Sequence, residues 1–325
     1  MRNRIFIVAT MAAFLLLLAY LPFSSAEKFN TPDETANFYF SELFAETGSL
    51  KAPEPLLASV DNVLHPRSIN AVGGFLVPEG FWGLPLWYGI LALFLGKSAI
   101  PFFTAASVLA AFSFAYLFFR EFFGIRAARL ALLLLLINPV VWYNASRSMY
   151  PNMLFVCFLT AALAIFFLAR RLRGHRSLAC FALAGIFAGM AVVVRPAEAL
   201  WVGALFAAMT LFQTIGRKKT IAWAVLAAIL PLLVVPIVNN NLYGSAWRFC
   251  YAVNEKPVRE AVSLDAAAPP KFSQVDLAGQ IFLPFGFHPM RALGRFFDYG
   301  MTPVWWFVLP SAVGLMAGVS RLGGD

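Results

Sequence analysis

Two adjacent carboxylates, Asp33 and Glu34, open the stretch of this chain that is richest in potential chemistry, Asn30-Thr31-Pro32-Asp33-Glu34-Thr35-Ala36-Asn37-Phe38-Tyr39-Phe40. Thr31 suits a helix N-cap, Pro32 the first helical position, and Glu34, three residues past the cap, completes a capping box. Behind it Ala36, Phe40, Leu43 and Phe44 fall on one helical face, as expected for a helix lying on a membrane surface, and Gly48 is a stop signal. Capping accounts in full for Glu34. The box does not require Asp33. A carboxylate at a helix N-terminus is favoured as the anion, and such an anion can take the proton of an attacking hydroxyl. Asp33 is therefore the candidate base, with Glu34 either sharing the chemistry or only starting the helix.

What carries this pair is legible from composition. Of 325 residues 61% are hydrophobic and 13% charged, more apolar sequence than a soluble surface leaves room for. Apolar blocks run over 5–23, 80–96, 99–119, 128–143, 151–169, 178–194, 197–213, 220–238 and 301–318. Crossing a hydrocarbon layer of roughly 30 Å takes about 20 helical residues. The blocks lack the two-residue alternation of a barrel strand. The expected fold is all-α, a polytopic transmembrane helical bundle forming a single membrane domain over 1–325.

Charge sets the direction. The 80–96 block carries Pro85 and is parted from the next only by Lys97 and Ser98. If it lies along or dips into the outer face, the inner connections hold Arg2 and Arg4; Arg120, Arg126 and Arg129; Arg170, Arg171, Arg173 and Arg176; Arg217, Lys218 and Lys219; and Arg321. That is more than half of the 25 basic residues. If it crosses, every later cluster falls outside, against the preference of positive residues for the inner side. The first topology gives about eight spans, an N-terminus inside, and two long outer segments, 24–98 and 239–300, with juxtamembrane helices in the first. The first block also reads as a signal peptide cleaved after Ser24-Ser25-Ala26, though its length favours a retained anchor.

The net charge of +9 is explained by these topology signals, so no nucleic-acid partner is expected. Three cysteines form no disulfide framework; Cys157 and Cys180 lie in apolar blocks and Cys250 in the second outer segment. The blocks are nearly free of charge and no internal repeat is visible, which disfavours a transporter. A non-enzymatic lipid-handling or transport protein stays open as an alternative.

A first span, an outer Pro32-Asp33-Glu34 and a surface helix together resemble the GT-C membrane glycosyltransferases, the group of the protein O-mannosyltransferases and lipid A aminoarabinose transferases. The resemblance continues through His65-Pro66-Arg67-Ser68, Gly83-Leu84-Pro85-Leu86-Trp87-Tyr88-Gly89, Phe118-Phe119-Arg120-Glu121-Phe122-Phe123-Gly124, Asn138-Pro139, Arg195-Pro196 and Tyr243-Gly244-Ser245. It covers nearly the whole chain.

That resemblance implies an inverting glycosyltransferase using a sugar on a polyprenyl phosphate, in a prokaryotic cell membrane, acting on the outer face. The acceptor is a protein, a lipid or a polysaccharide. By position Asp33 is the general base and Glu34 supports the first-loop geometry. A departing lipid phosphate needs cations where its charge develops. Arg195 at the outer end of the fifth span and Arg147 in the turn 144–150 are the candidates, followed by His65 and Arg67. Arg195 has Glu198 as its expected partner. Relatives often place an acidic residue, a metal ligand in some, where Asn152 stands here. An amide is the poorer cation ligand, so no metal and no cofactor are expected. The chain ends at Arg321-Leu322-Gly323-Gly324-Asp325, where relatives commonly have further spans; a C-terminally shortened or minimal form is expected. An inactive GT-C-like scaffold is the second alternative, motivated by Asn152 and that short end.

Overall fold

The computed structural model describes residues 29–60, 65–213 and 218–250, together with 253, 290, 293 and 294. The expected spans 5–23 and 301–318, and most of the second outer segment, lie outside these residues. The chain divides into two compact units, Met1–Pro284 and Phe285–Asp325. All of the elements below belong to the first.

Four helices are long and apolar enough to cross a membrane, over Lys97–Phe123, Pro151–Arg171, Gly174–Val194 and Ala222–Tyr243. In chain order the helices are α1 (Pro32–Thr47), α2 (Gly83–Leu95), α3 (Ile100–Phe123), α4 (Ile125–Ile137), α5 (Pro139–Ala145) and α6 (Pro151–Arg171). Then follow α7 (Gly174–Val194), α8 (Ala199–Gln213), α9 (Lys218–Leu232) and α10 (Val234–Tyr243). The 13 residues of α2 rise about 20 Å, less than the thickness of the hydrocarbon layer.

Two expected spans take a different form. The 128–143 block is two helices, α4 and α5, bent by 62°. Asn138-Pro139 causes the break. Proline has no N–H and bars the preceding residue from the helical region, so Asn138 sits at φ −74°, ψ 117°. Its side chain then accepts a 2.9 Å hydrogen bond from Val140 N and caps α5. The 197–213 block is α8, whose 15 residues rise about 22 Å and fall short of the hydrocarbon thickness. Among the described residues four helices are thus long and apolar enough to cross, or five if the bent pair is one span.

The bundle is held by close helix contacts. At Gly185 and Gly189 of α7 any Cβ would overlap the backbone carbonyls of Ala224 and Ala228 on α9. Small residues four apart let the two backbones approach, which is how helices associate without a hydrophobic drive from lipid. At one end of the bundle Glu121, closing α3, pairs with Arg171 of α6 at 2.7 Å and with its neighbour Arg120 at 3.0 Å. By connectivity that end also holds Arg126, Arg129, Arg170, Arg173 and Arg176.

The opposite end carries the first loop module. Helix α1 starts at the expected N-cap: Thr31 is extended and its Oγ1 accepts from Glu34 N at 3.3 Å, but the Glu34 carboxylate meets the Thr31 hydroxyl and Arg147 rather than closing the box on the Thr31 N–H. Gly48 ends it in the left-handed conformation, its N–H bonding Phe44 O at 2.8 Å. The module also contains strands, an exception to the all-α expectation: β1 (Ala52–Pro53), β2 (Ile69–Val72) and β3 (Phe75–Pro78) form an antiparallel sheet in the order β1-β3-β2. Val72 pairs with Phe75 across a two-residue turn, Gly73-Gly74, with φ of 58° and 81°. Two positive φ values are what a tight hairpin following the strand twist demands, and glycine meets them freely. The sheet is pinned to the end of α10. Trp82 Nε1 donates to Asn239 Oδ1 at 2.8 Å, Tyr243 Oη to Pro78 O at 3.0 Å, and Asn70 Nδ2 to Cys250 O at 2.9 Å.

Candidate active site

The turn between α5 and α6 is the hub of this end of the molecule, and three elements hold it. Asn37 of α1 donates through Nδ2 to Met149 O at 2.8 Å. Thr104 of α3 donates to Ser148 O, and Tyr88 of α2 shares a 2.8 Å hydrogen bond with the Thr104 hydroxyl. Met149 is wholly buried beneath. A turn gripped in this way has its side chains placed by the scaffold rather than by its own conformational preference.

Arg147, on that turn, lies 3.4 Å from Glu34 Oε2. Glu34 is only 1% exposed. Its other oxygen contact is the Thr31 hydroxyl, which donates to Oε2 at 3.2 Å. The guanidinium stands over the rings of Tyr143 at 5.1 Å and Tyr150 at 5.9 Å. A buried carboxylate needs a cation and hydrogen bonds to offset its lost hydration, and Glu34 has both. Enclosed in this way, it is badly placed to meet an incoming hydroxyl.

Asp33, one residue earlier, is exposed. It occupies the second position of α1, and its Oδ1 accepts a hydrogen bond from the Ser68 hydroxyl. Ser68 was not singled out in the sequence for any role of its own. Its contact with Asp33 joins residues 35 apart, which no helical or strand period would reveal.

Arg195 ends α7 because Pro196 follows and turns the chain. Its guanidinium pairs with Glu198 Oε1 at 2.9 Å, the partner expected from their spacing, and stands 5.9 Å over Phe155. It also donates to Asn152 Oδ1, while Asn152 Nδ2 donates to Asn144 Oδ1. Both ends of the Asn152 amide are therefore used. Val193, two residues before Arg195, packs in the same buried cluster as Ala36 and Phe40 of α1. Asp33, Glu34, Arg147, Asn152 and Arg195 thus share one end of the bundle, the segment 144–152 touching both the α1 and the α7 groups.

His65 and Arg67 are not drawn into these pairings. His65 contacts the carbonyl of its own neighbour Pro66 at 3.3 Å, and Arg67 is exposed. Their link to the site is through the chain, since Arg67 precedes Ser68. Among the described residues no group of three or more His, Cys, Asp or Glu side chains is assembled as a metal cage.

Residues 80–239 match the family model described as dolichyl-phosphate-mannose-protein mannosyltransferase. No curated protein and no solved structure matches the chain significantly. The matched range contains Arg147, Asn152 and Arg195 but begins after Asp33 and Glu34; Glu34 is tied to it by the pair with Arg147, while Asp33 is held by Ser68, outside the match. With its long apolar helices and this match, the chain is an integral membrane protein whose residues 80–239 are similar to mannosyltransferases of the GT-C membrane glycosyltransferase group.

Proposed function

We propose that the chain transfers a sugar from a polyprenyl-phosphate donor to an acceptor hydroxyl at the outer face of the membrane, inverting the anomeric carbon. The acceptor oxygen attacks C1 from the side opposite the phosphate while its proton passes to Asp33. The C1–O bond to phosphate breaks, and the lipid phosphate departs with the bonding pair. Arg195 and Arg147 supply positive charge where the phosphate charge grows, and preorganised charge of this kind is commonly the largest catalytic contribution. His65 and Arg67 are the further candidates for the donor. The end bearing the Arg120, Arg170, Arg171, Arg173 and Arg176 cluster is assigned to the cytoplasm, which puts the site outside.

One observation carries the reading. Of two neighbouring carboxylates, Glu34 is enclosed with Arg147 while Asp33 is open to solvent at the same end as both arginines. Metal independence is part of the proposal, since Asn152 Oδ1 is already engaged by Arg195 and an amide is a weak ligand for a hard cation. Using both ends of its amide also gives Asn152 a place in an active enzyme rather than marking a lost function.

Membranes containing the chain, supplied with a panel of polyprenyl-phosphate sugars, should yield a glycosylated product of inverted anomeric configuration in the presence of a chelator. No transfer from any such donor, or a retained configuration, would overturn the proposal.

A further inference from the structure

Ser68 combines two features that glycine and an ordinary loop serine do not share. It is the one non-glycine residue with positive φ among the described residues, at 66°. It also directs its hydroxyl at Asp33. The left-handed region brings a β-carbon too near the following carbonyl, so glycine or asparagine is the usual occupant. Here the conformation is imposed by a turn: Ile69 N bonds Pro66 O at 3.2 Å, and Ser68 O then receives Glu79 N at 3.4 Å at the end of the β2–β3 pairing. Glycine would make the same turn without strain. What serine adds is the hydroxyl, and the turn aims it out of the sheet module toward the first turn of α1. The side chain is buried, although the carboxylate it reaches is exposed.

We infer that Ser68 is a positioning residue for the base, a role that rests on the reading of Asp33 as the proton acceptor. By donating to Oδ1 it fixes the plane of the carboxylate and commits one oxygen. Oδ2, which has no hydrogen bond among the described residues, is left as the proton acceptor for the incoming hydroxyl. Without this bond the carboxylate of an exposed aspartate rotates, and the productive orientation becomes one of several. Such a bond acts on turnover and hardly on donor binding, because the donor phosphate is held by other groups.

The test is a set of four variants of the full chain, Ser68→Gly, Ser68→Ala, Asp33→Asn and Asp33→Asn with Ser68→Gly, each read for kcat, donor KM and thermal unfolding. Both serine variants should lose roughly 10- to 100-fold in kcat, the range for a hydrogen bond to a charged group, with donor KM unchanged. Ser68→Gly should unfold no earlier than the wild type, because glycine adopts that φ freely. Adding Ser68→Gly to Asp33→Asn should cost nothing more, since the two act through one contact. Wild-type kcat in Ser68→Gly with a loss only in Ser68→Ala would show that the backbone alone matters and would overturn the inference. An inactive Asp33→Asn beside a fully active Ser68→Gly overturns it too while sparing the base. Wild-type turnover by Asp33→Asn removes the base itself and the inference with it.

Discussion

Glu34 and Arg147 meet at 3.4 Å although 113 residues separate them in the chain. The pair joins the first turn of α1 to the turn before α6, and it sets two neighbouring carboxylates in different surroundings. Glu34 is turned inward to a cation, leaving Asp33 outside. Because the pair is unevenly buried, its two halves should not be equivalent.

Arg147→Ala leaves the Glu34 carboxylate without its cation in a site closed to water. Breaking a buried pair from that side costs about 3 kcal/mol. Glu34→Gln leaves instead a guanidinium that is 20% exposed and already over two tyrosine rings, so a cost nearer 1 kcal/mol is expected. Thermal unfolding in detergent should rank wild type above Glu34→Gln and Glu34→Gln above Arg147→Ala. The double variant should recover part of the Arg147→Ala loss. The reverse ranking would mean that the carboxylate finds water in solution.

Parts of this arrangement were written plainly in the sequence. The start and stop of α1 follow from Thr31, Pro32, Glu34 and Gly48, because capping is a matter of residue type at fixed offsets. The break at Asn138-Pro139 and the hairpin at Gly73-Gly74 carried equally local signals, but the long apolar context hid the first and the expectation of helices hid the second. Candidate residues could be chosen by type and place; apart from Arg195 with its near neighbour Glu198, their pairing could not. Asn37 with Met149, Arg147 with Glu34 and Arg195 with Asn152 are contacts between elements, set by how helices pack rather than by any period along the chain. Ser68 was hidden for a further reason, since serine is not a residue type that announces positive φ.

Asn152 offers a sharp test of the site's polarity. In Asn152→Asp the side chain keeps an oxygen for Arg195 but loses the amide donor that Asn144 Oδ1 accepts from. The added negative charge would compete with the donor phosphate that Arg195 is proposed to bind. Donor KM should rise on the order of tenfold, as for a charge-assisted contact diverted from the ligand, and Mg²⁺ or Mn²⁺ should not restore it. Stimulation by either cation would show a latent metal site and contradict the proposal.

Topology can be read by thiol labelling on intact cells after Cys157, Cys180 and Cys250 are replaced. A membrane-impermeant reagent should label Glu54→Cys in the loop module and leave Arg173→Cys, at the basic end of the bundle, unlabelled until the cells are opened. The opposite pattern would move the site to the cytoplasm and end the outer-face assignment.

In the proposed reaction Asp33 takes the acceptor's proton. The most direct measurement is single-turnover sugar transfer by wild type, Asp33→Asn and Glu34→Gln in the same membranes at matched expression. Asp33→Asn should lose at least about 100-fold in rate, the usual contribution of a positioned general base, with donor binding intact. Glu34→Gln should lose less, in step with its stability. Transfer by Asp33→Asn at the wild-type rate would contradict the account.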